Sequence, residues 1–205
     1  MEKFFRRYFF NSLSGFKSVN LVGTKSAAGQ TNLGVFSQIF HIGANPPLMG
    51  MIVRPHTVER HTLENILETK FYTFNHIHAD FYKAAHQASA SYPRERSEFE
   101  AVGLTEAYSE NEKFIAPYVG ESWVQIGLEL AERHDLSING TIFLIGHVRE
   151  VRVAETIISA DGYLDLEEAQ SVTCSSLDNY HTTQRLARLS YPKPDQELKE
   201  VEVKK

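Results

Sequence analysis

A basic loop stands immediately before a predicted helix in the first third of this sequence. The loop RPHTVERHT contains Arg54, His56, Arg60 and His61, and Thr62 follows as the predicted N-cap of a helix over LENILET. Arginine offers a planar pair of N–H donors that matches phosphate oxygens. The first turn of a helix adds free backbone N–H groups and a partial positive charge. Together they predict a site for a phosphate group.

Two other interpretations of the polar residues remain open at this point. The loop can be solvated, with its two arginines paired to Glu59 and Glu64. His76 and His78 lie two apart on a predicted strand and project from one face, as some metal-ligand pairs do. No third or fourth ligand stands at a recognisable spacing, so local hydrogen bonding is favoured over a metal site.

Signatures of other chemistries do not occur in the sequence. GxGxxG, GxxxxGK[ST], GxSxG and HExxH are all missing, which argues against a Rossmann dinucleotide fold and against a nucleophile elbow. The lone Cys174 is interpreted as a buried structural thiol. Catalysis by side chains alone is weakly supported, and a bound cofactor fits better.

Composition indicates a globular protein without a basic surface. The 205 residues are 42% hydrophobic and carry a formal charge of −5, which argues against nucleic acid as a partner. No apolar run approaches the roughly 18–20 residues of a membrane span. A single cysteine suits a reducing compartment. We expect a soluble, cytoplasmic protein that does not engage a membrane.

The N-terminal segment MEKFFRRYFFNSL is predicted to be helical over Arg6–Leu13, with Gly15 as its C-cap. Phe4, Phe5, Tyr8 and Phe9 fall at helical spacing. A membrane-surface helix is conceivable, but docking on the body of the protein or on a partner subunit is favoured.

Alternating apolar positions and turn residues predict a strand-rich chain. Strands are expected over Lys17–Thr24, Thr31–Phe40, Leu48–Val53, Phe71–Ile77, Ser122–Leu130, Thr141–Ile158 and Leu186–Leu189. Helical pieces are expected over Asp80–Ser91, Ser97–Val102 and Asp165–Ala169. Turns fall at Ala28-Gly29, Asn45-Pro46-Pro47 and Asp161-Gly162, and a bend at Gly146. The order indicates a mainly β fold, an antiparallel barrel with peripheral helices, rather than a doubly wound sheet.

Residues 11–195 resemble the flavin reductase-like family, which has the FMN-binding split-barrel fold. The resemblance is carried by NSLSGFKSVNLVGTKSAAGQTNLGVFSQIFHIGANPPLMGMIVRP, ERHTLENI and FYTFNHI, with weaker pieces such as HVREV and YHTTQRLARLSYPKP. It implies a homodimer that holds FMN without a covalent bond near the subunit interface. A single domain over residues 1–205 is expected, with a helical and loop excursion at about 80–118 and a charged tail at about 195–205.

The resemblance also assigns residues to the cofactor. The isoalloxazine ring would lie near Thr31, Asn32, Leu33, Phe36 and Ser37. The phosphate side matches Arg54, Arg60, His61 and Thr62. Further polar contacts are assigned to Asn75, Gln87 and Ser89, and contacts to the open face of the flavin to Tyr180, His181 and Arg185.

Two functions follow from the resemblance. The first is an FMN-binding oxidoreductase that uses NADH or NADPH to reduce flavin or a small acceptor, with the flavin and no protein nucleophile carrying the chemistry. The alternative is an FMN-carrying electron-transfer or flavin-binding protein without a nicotinamide site, since nothing in the sequence identifies one.

Overall fold

The computed structural model describes residues 1–203. Four α-helices span Lys3–Ser12 (α1), His61–Thr69 (α2), Tyr82–Gln87 (α3) and Glu98–Val102 (α4), and a 3₁₀ turn spans Glu155–Ile157. Strands β1 to β6 span Lys17–Ser18, Asn20–Lys25, Thr31–Phe36, Ile39–Ala44, Pro47–Val53 and Phe71–His76. Strands β7 to β12 span Glu106–Ala107, Tyr118–Val119, Val124–Leu136, Thr141–Val153, Thr173–Ser175 and Asn179–His181.

A seven-stranded antiparallel sheet organises the chain, in the order β3-β2-β6-β9-β10-β5-β4. The long hairpin β9–β10 forms its centre, with a register shift between Ile145 and Gly146 where the bend was expected. In the described residues the edge strands β3 and β4 do not pair with each other, so the sheet curls without closing. The prediction of a mainly antiparallel β fold with peripheral helices is confirmed.

The strand predicted over Thr31–Phe40 is two strands. β3 ends at Phe36, which pairs with Asn20, the first residue of β2. Because β2 has no further residue for β3 to pair with, the chain leaves the sheet at Ser37. It re-enters at Ile39 as β4, which lies beside β5 on the opposite edge of the sheet. This break opens the end of β3 toward the cleft described below.

Several predicted boundaries were wrong in the second half of the chain. The strand expected to end at Leu130 runs to Leu136, because it pairs with β10 along its whole length. The strand expected to reach Ile158 ends at Val153, and a 3₁₀ turn begins at Glu155. The predicted helices over Asp80–Ser91 and Ser97–Val102 are the shorter α3 and α4.

Two further predicted elements do not form. Asp165–Ala169 is a series of turns held by Asp165, whose Oδ1 accepts the N–H groups of Glu167 and Glu168. The segment 186–189 does not join the sheet, because Leu186 is fully exposed and Leu189 bridges only Glu200 in the described chain. The Asp161-Gly162 turn is present, with Gly162 at φ +84°.

The two faces of the sheet bury separate apolar clusters. In β2, Leu21 packs toward α3 and α4 with Phe99, whereas the adjacent Val22 packs toward α2 with Leu63 and Phe74. Successive side chains of a strand point to opposite faces, which explains the division. α2 therefore covers one face and is fixed relative to the sheet from which the site is built.

Two tyrosines lie across glycines of neighbouring strands. A Cβ added to Gly146 would overlap the Tyr72 hydroxyl oxygen, and one added to Gly127 would overlap that of Tyr118. The Tyr72 hydroxyl is buried without a hydrogen-bond partner in the described chain. Glycine is required at both positions because the aromatic rings occupy the space of a side chain.

The excursion over residues 80–118 is tied to β3 by side chains. Thr31 Oγ1 donates to Glu106 Oε1 at 2.6 Å and lies 2.8 Å from Ser97 Oγ. Glu98 Oε2 accepts the N–H of Leu33 at 2.9 Å. α4 therefore lies against the outer edge of β3.

α1 begins at Lys3, earlier than the predicted Arg6, and is capped by Glu2, whose carboxylate accepts the N–H groups of Phe4 and Phe5. None of its residues is buried. In residues 1–203, no helix has the length and apolar character needed to cross a membrane. The tail is exposed at residues 195–200, and residues 204 and 205 lie outside the described part.

Candidate functional site

An open cleft of about 670 Å³ lies where β3, the loop after β5, α1 and the start of α2 meet. Ligand pockets commonly have volumes of about 300–1,000 Å³. Nine of the predicted cofactor residues line the cleft: Asn32, Leu33, Phe36, Ser37, Arg54, Arg60, Thr62, Ser89 and Tyr180. Residues from distant parts of the sequence are therefore brought together here.

At one end of the cleft, β3 is joined to the start of α2. Asn32 Nδ2 donates to Thr62 Oγ1 at 2.8 Å, and both residues are buried. Gly34 makes room for this contact, because a Cβ there would stand 3.0 Å from Thr62 Oγ1. The close approach to the backbone of Gly34 is thus made by a side chain.

Thr62 is not the N-cap of α2, contrary to the prediction. The helix begins at His61, its N-cap is Arg60, and the cap makes no side-chain hydrogen bond. The Thr62 hydroxyl instead accepts a hydrogen bond from Asn32 Nδ2 and does not cap the helix. Glu64 Oε1 accepts the N–H of Arg60 at 3.2 Å and supports this helix start.

Three arginines line the cleft, two of them in the loop that leads from β5 into α2. Arg7 of α1 joins Arg54 and Arg60 in the lining. Burial, and then the charges of Arg7 and Arg60, lower the pKa of the Arg54 guanidinium. Arginine remains protonated at neutral pH in spite of such a shift. Within residues 1–203, none of the three forms an ion pair with a carboxylate.

The alternative of loop arginines paired with nearby glutamates is not observed. Glu64 binds His56 at 3.1 Å and Arg94, and Glu59 lies 3.8 Å from His61 Nε2. Arg60 uses its Nε–H on the carbonyl of Pro55, at 3.0 Å. The acids near the loop therefore interact with other residues, and the loop arginines have no carboxylate partner in the described chain.

A buried carboxylate borders the β3 end of the cleft. Glu98 is only 7% exposed, and burial raises the pKa of its carboxyl. Its Oε2 holds the N–H of Leu33, so this backbone donor is not free for a ligand.

The far wall is formed by the β11–β12 turn and the end of α3. Tyr180 donates to or accepts from His86 Nδ1 at 3.0 Å, and Asp178 lies at the rim. Burial, and then the charges of Cys174 and Asp178, raise the pKa of Tyr180 to about 12. Tyr180 is therefore a neutral hydroxyl at physiological pH.

A profile of the flavin reductase-like domain matches residues 16–167, which include β3, the basic loop and α2. The chain belongs to the flavin reductase-like family.

Solved structures agree with this assignment. A candidate flavin reductase with a split barrel domain from Shewanella frigidimarina is 48% identical, with a TM-score of 0.90 over 94% of both chains. Nitrilotriacetate monooxygenase component B from Bacillus cereus is 22% identical, with a TM-score of 0.82 over 92% of this chain and 95% of that one. An FMN-binding protein from Thermus thermophilus is 17% identical, with a TM-score of 0.67 over 82% of this chain and 86% of that one. The split-barrel fold expected from the sequence is confirmed.

Other residues assigned by the family resemblance lie outside the cleft. Thr31 and His61 line a second, smaller cavity of about 10 Å³ behind β3. Asn75 is fully buried, with Nδ2 bonded to the Leu21 carbonyl and Oδ1 to the Val119 N–H. Its polar atoms are thus used inside the sheet.

Three residues that were predicted to contact the flavin interact with other side chains elsewhere on the surface. Gln87 donates to the Tyr92 hydroxyl at 3.2 Å. His181 lies 2.9 Å from Ser175 Oγ. Arg185 forms an ion pair with Asp165 in the turn after β10. In this family member the structure does not bring these three side chains to the cleft.

The two histidines considered for a metal make local hydrogen bonds. His76 Nδ1 lies 3.1 Å from Ser171 Oγ, and His78 Nδ1 accepts the N–H of Asp80 at 3.1 Å. Across the described residues, no three His, Cys, Asp or Glu side chains are grouped as metal ligands.

Reasoning from the sequence missed the contributions of α1 and α4. Arg7 and Asn11 line the cleft and stand four residues apart, so they share one face of α1. That spacing was visible in the sequence, but the surrounding aromatic residues led to the prediction that the helix docks on the protein or on a partner subunit. Glu98 gave no signal, because only the fold places α4 against β3.

Proposed function

We propose that this protein binds FMN in the cleft and is an oxidoreductase that accepts hydride from NADH or NADPH and reduces flavin or a small acceptor. Family membership supports a flavin-related oxidoreductase. The observation that carries the choice of FMN is the set of three arginines that line the cleft without carboxylate partners in the described chain.

The phosphate end fits the charge of FMN. Arg54 and Arg60 provide charge-assisted donors, and α2 starts beside them with the unpaired N–H groups of its first turn. Burial, and then the charges of Arg7 and Arg60, lower the pKa of Arg54, and a phosphate there would offset the repulsion from these two charges. Riboflavin lacks the phosphate and would leave this repulsion in place.

The ring end would be held by Asn32, Leu33, Phe36 and Ser37. When bound, FMN would supply the hydride and electron transfer. The chain would orient it: the Asn32–Thr62 hydrogen bond fixes the distance between the ring residues and the start of α2. Glu98 would place a buried carboxyl beside the ring residues while holding the Leu33 N–H.

A homodimer is part of the proposal. The aromatic side chains of α1 are exposed, with Phe4, Phe5 and Phe10 each more than half accessible. A contiguous aromatic patch of this kind is typical of a subunit interface. We also propose that residues 1–205 form one domain and act in the cytoplasm, where the buried, unpaired Cys174 stays reduced.

Binding of FMN and riboflavin to the purified protein tests the cofactor. Arg60→Ala removes a charge-assisted contact of roughly 1.5–3 kcal/mol, so FMN affinity should fall about ten- to a hundredfold while riboflavin affinity stays constant. Arg133→Ala is the control, because Arg133 pairs with Asp135 on the exposed end of β9. A protein that binds neither flavin would refute the proposal, and equal losses for both would remove Arg60 from the phosphate site.

Mixing the FMN-loaded protein with NADH or NADPH without oxygen tests the reaction. Loss of the visible flavin absorbance with either donor is expected. If neither donor bleaches the flavin, the second candidate is favoured, an FMN-carrying electron-transfer protein without a nicotinamide site. One observation favours that candidate: Ala88, Ser89 and Ala90 of the excursion line the cleft.

A further inference from the structure

The face of α1 that looks into the cleft carries polar groups, whereas all four phenylalanines of the helix lie outside the cleft lining. Arg7, Tyr8 and Asn11 line the cleft, whereas Phe5 and Phe9 stack on each other at 5.7 Å outside it. The helix buries none of its own residues. Its position is therefore not explained by burial of its own side chains in this chain.

A buried lysine holds the C-terminal end of α1 at the cleft. Lys17 is 8% exposed, and its Nζ donates to the Asn11 carbonyl at 3.1 Å and to the Ser176 carbonyl at 2.6 Å. Ser176 stands in the β11–β12 turn, whose Leu177 and Asp178 line the far wall. One ammonium thus joins the helix end, the first strand and the far wall.

Arg7 lines the same cleft as Arg54 and Arg60 and forms no ion pair with an acid in the described chain. Burial, and then the charges of Arg7 and Arg60, lower the pKa of Arg54. Its own contact is the ring of Tyr8, 6.0 Å from the guanidinium carbon. Glu59, Glu98 and Asp178 also line the cleft, but none of them forms an ion pair with the three arginines in the described chain, and an anion bound there would reduce the repulsion between the cations.

We propose that α1 is part of the phosphate site and that Arg7 is a third arginine on the cofactor phosphate, held in place through Lys17. This rests on the proposed binding of FMN. Two arginines balance the two charges of a phosphate monoester, and a third makes the site favour the dianion and discriminate more strongly against a flavin without phosphate. The N-terminal helix thereby takes part in cofactor choice.

The test compares Arg7→Ala with Arg6→Ala, its neighbour on α1, which does not line the cleft. Dissociation constants for FMN and riboflavin are measured by flavin fluorescence at several salt concentrations. Because Arg7 is exposed, its loss should not prevent folding. We expect Arg7→Ala to weaken FMN about tenfold and riboflavin less than twofold, with Arg6→Ala unchanged. Arg7→Lys should recover part of the loss.

The salt dependence separates a phosphate contact from a structural role. Loss of one cation at the phosphate should make FMN binding less sensitive to salt, and riboflavin binding should show no change. If Arg7→Ala behaves as Arg6→Ala does, or weakens both flavins equally, Arg7 is not a phosphate ligand. A wild-type protein that binds FMN no better than riboflavin would instead refute the proposed function. Selective loss in Arg60→Ala, with none in Arg7→Ala, would overturn only the role of α1.

Discussion

His76 at the end of β6 should make the protein less stable as the pH falls. The residue is half-buried, and burial lowers the pKa of His76 to about 4, against an ordinary value of 6.5. The unfolded chain therefore binds this proton more readily than the folded chain does. The contribution of His76 to stability is complete above pH 6.5 and is lost as the pH falls toward 4.

The size of the effect follows from the two pKa values. Between pH 7.5 and pH 5, a shift from 6.5 to about 4 lowers the free energy of unfolding by about 2 kcal/mol. His76→Asn keeps a polar group near Ser171 Oγ but does not titrate. We expect the variant to lose about 2 kcal/mol less than the wild type over this range.

Urea denaturation of the flavin-free protein at both pH values, at one fixed protein concentration, measures this difference. His134→Asn is the control, because His134 is exposed beside Glu132 on β9. The comparison between variants removes the contribution of the carboxylates common to all three proteins. If the wild type and His76→Asn lose equal stability between pH 7.5 and pH 5, the histidine is not protected from protonation and the reasoning is refuted.

Three further predictions concern buried groups, each measured by urea denaturation unless stated. Tyr72→Phe should raise the free energy of unfolding by about 1 kcal/mol, since it removes a buried hydroxyl without a partner. Gly146→Ala should lower the free energy of unfolding by roughly 1–3 kcal/mol, because the new methyl group overlaps the Tyr72 hydroxyl. The double variant should recover most of the stability lost in Gly146→Ala. If the double variant is no more stable than Gly146→Ala alone, the overlap is not with the hydroxyl. Burial raises the pKa of Glu98, so its charged form is disfavoured in the folded chain and stability falls as pH rises above the ordinary value. Glu98→Gln should therefore be more stable than wild type at pH 7.5 and equally stable at pH 4. An equal difference in stability between the two proteins at both pH values would contradict this prediction. Burial also raises the pKa of the Cys174 thiol, so an aromatic disulfide reagent should react slowly with the folded protein and rapidly after unfolding; rapid reaction of the folded protein would show that the thiol is accessible.

Local patterns were sufficient for most strands and for the basic loop. β2, β5 and β6 were predictable because alternation and flanking turns depend on neighbouring residues. Arginine chemistry and the following helix predicted a phosphate site in the loop before α2, and Arg54 and Arg60 of that loop line the cleft. The family resemblance supplied the ring side, which no residue pattern indicated.

What could not be predicted depends on contacts between distant parts of the chain. The predicted N-cap of α2 was wrong because the Thr62 hydroxyl accepts a hydrogen bond from Asn32 on β3. The turns over Asp165–Ala169 are stabilised by one aspartate and an arginine twenty residues away, so helix propensity did not decide them. Glu98 reaches the cleft because α4 packs on β3, at a separation of 65 residues from Leu33.

The contact between Glu98 and β3 also affects how the protein behaves in a crowded solution. β3 is an edge strand, and an edge with free N–H groups can pair with a strand of another molecule. The Glu98 carboxylate occupies the outward N–H of Leu33, and α4 lies along the same edge. The excursion over residues 80–118 thus blocks intermolecular strand addition. A shortened chain that lacks it would expose this edge and be prone to aggregate, even with every other strand intact.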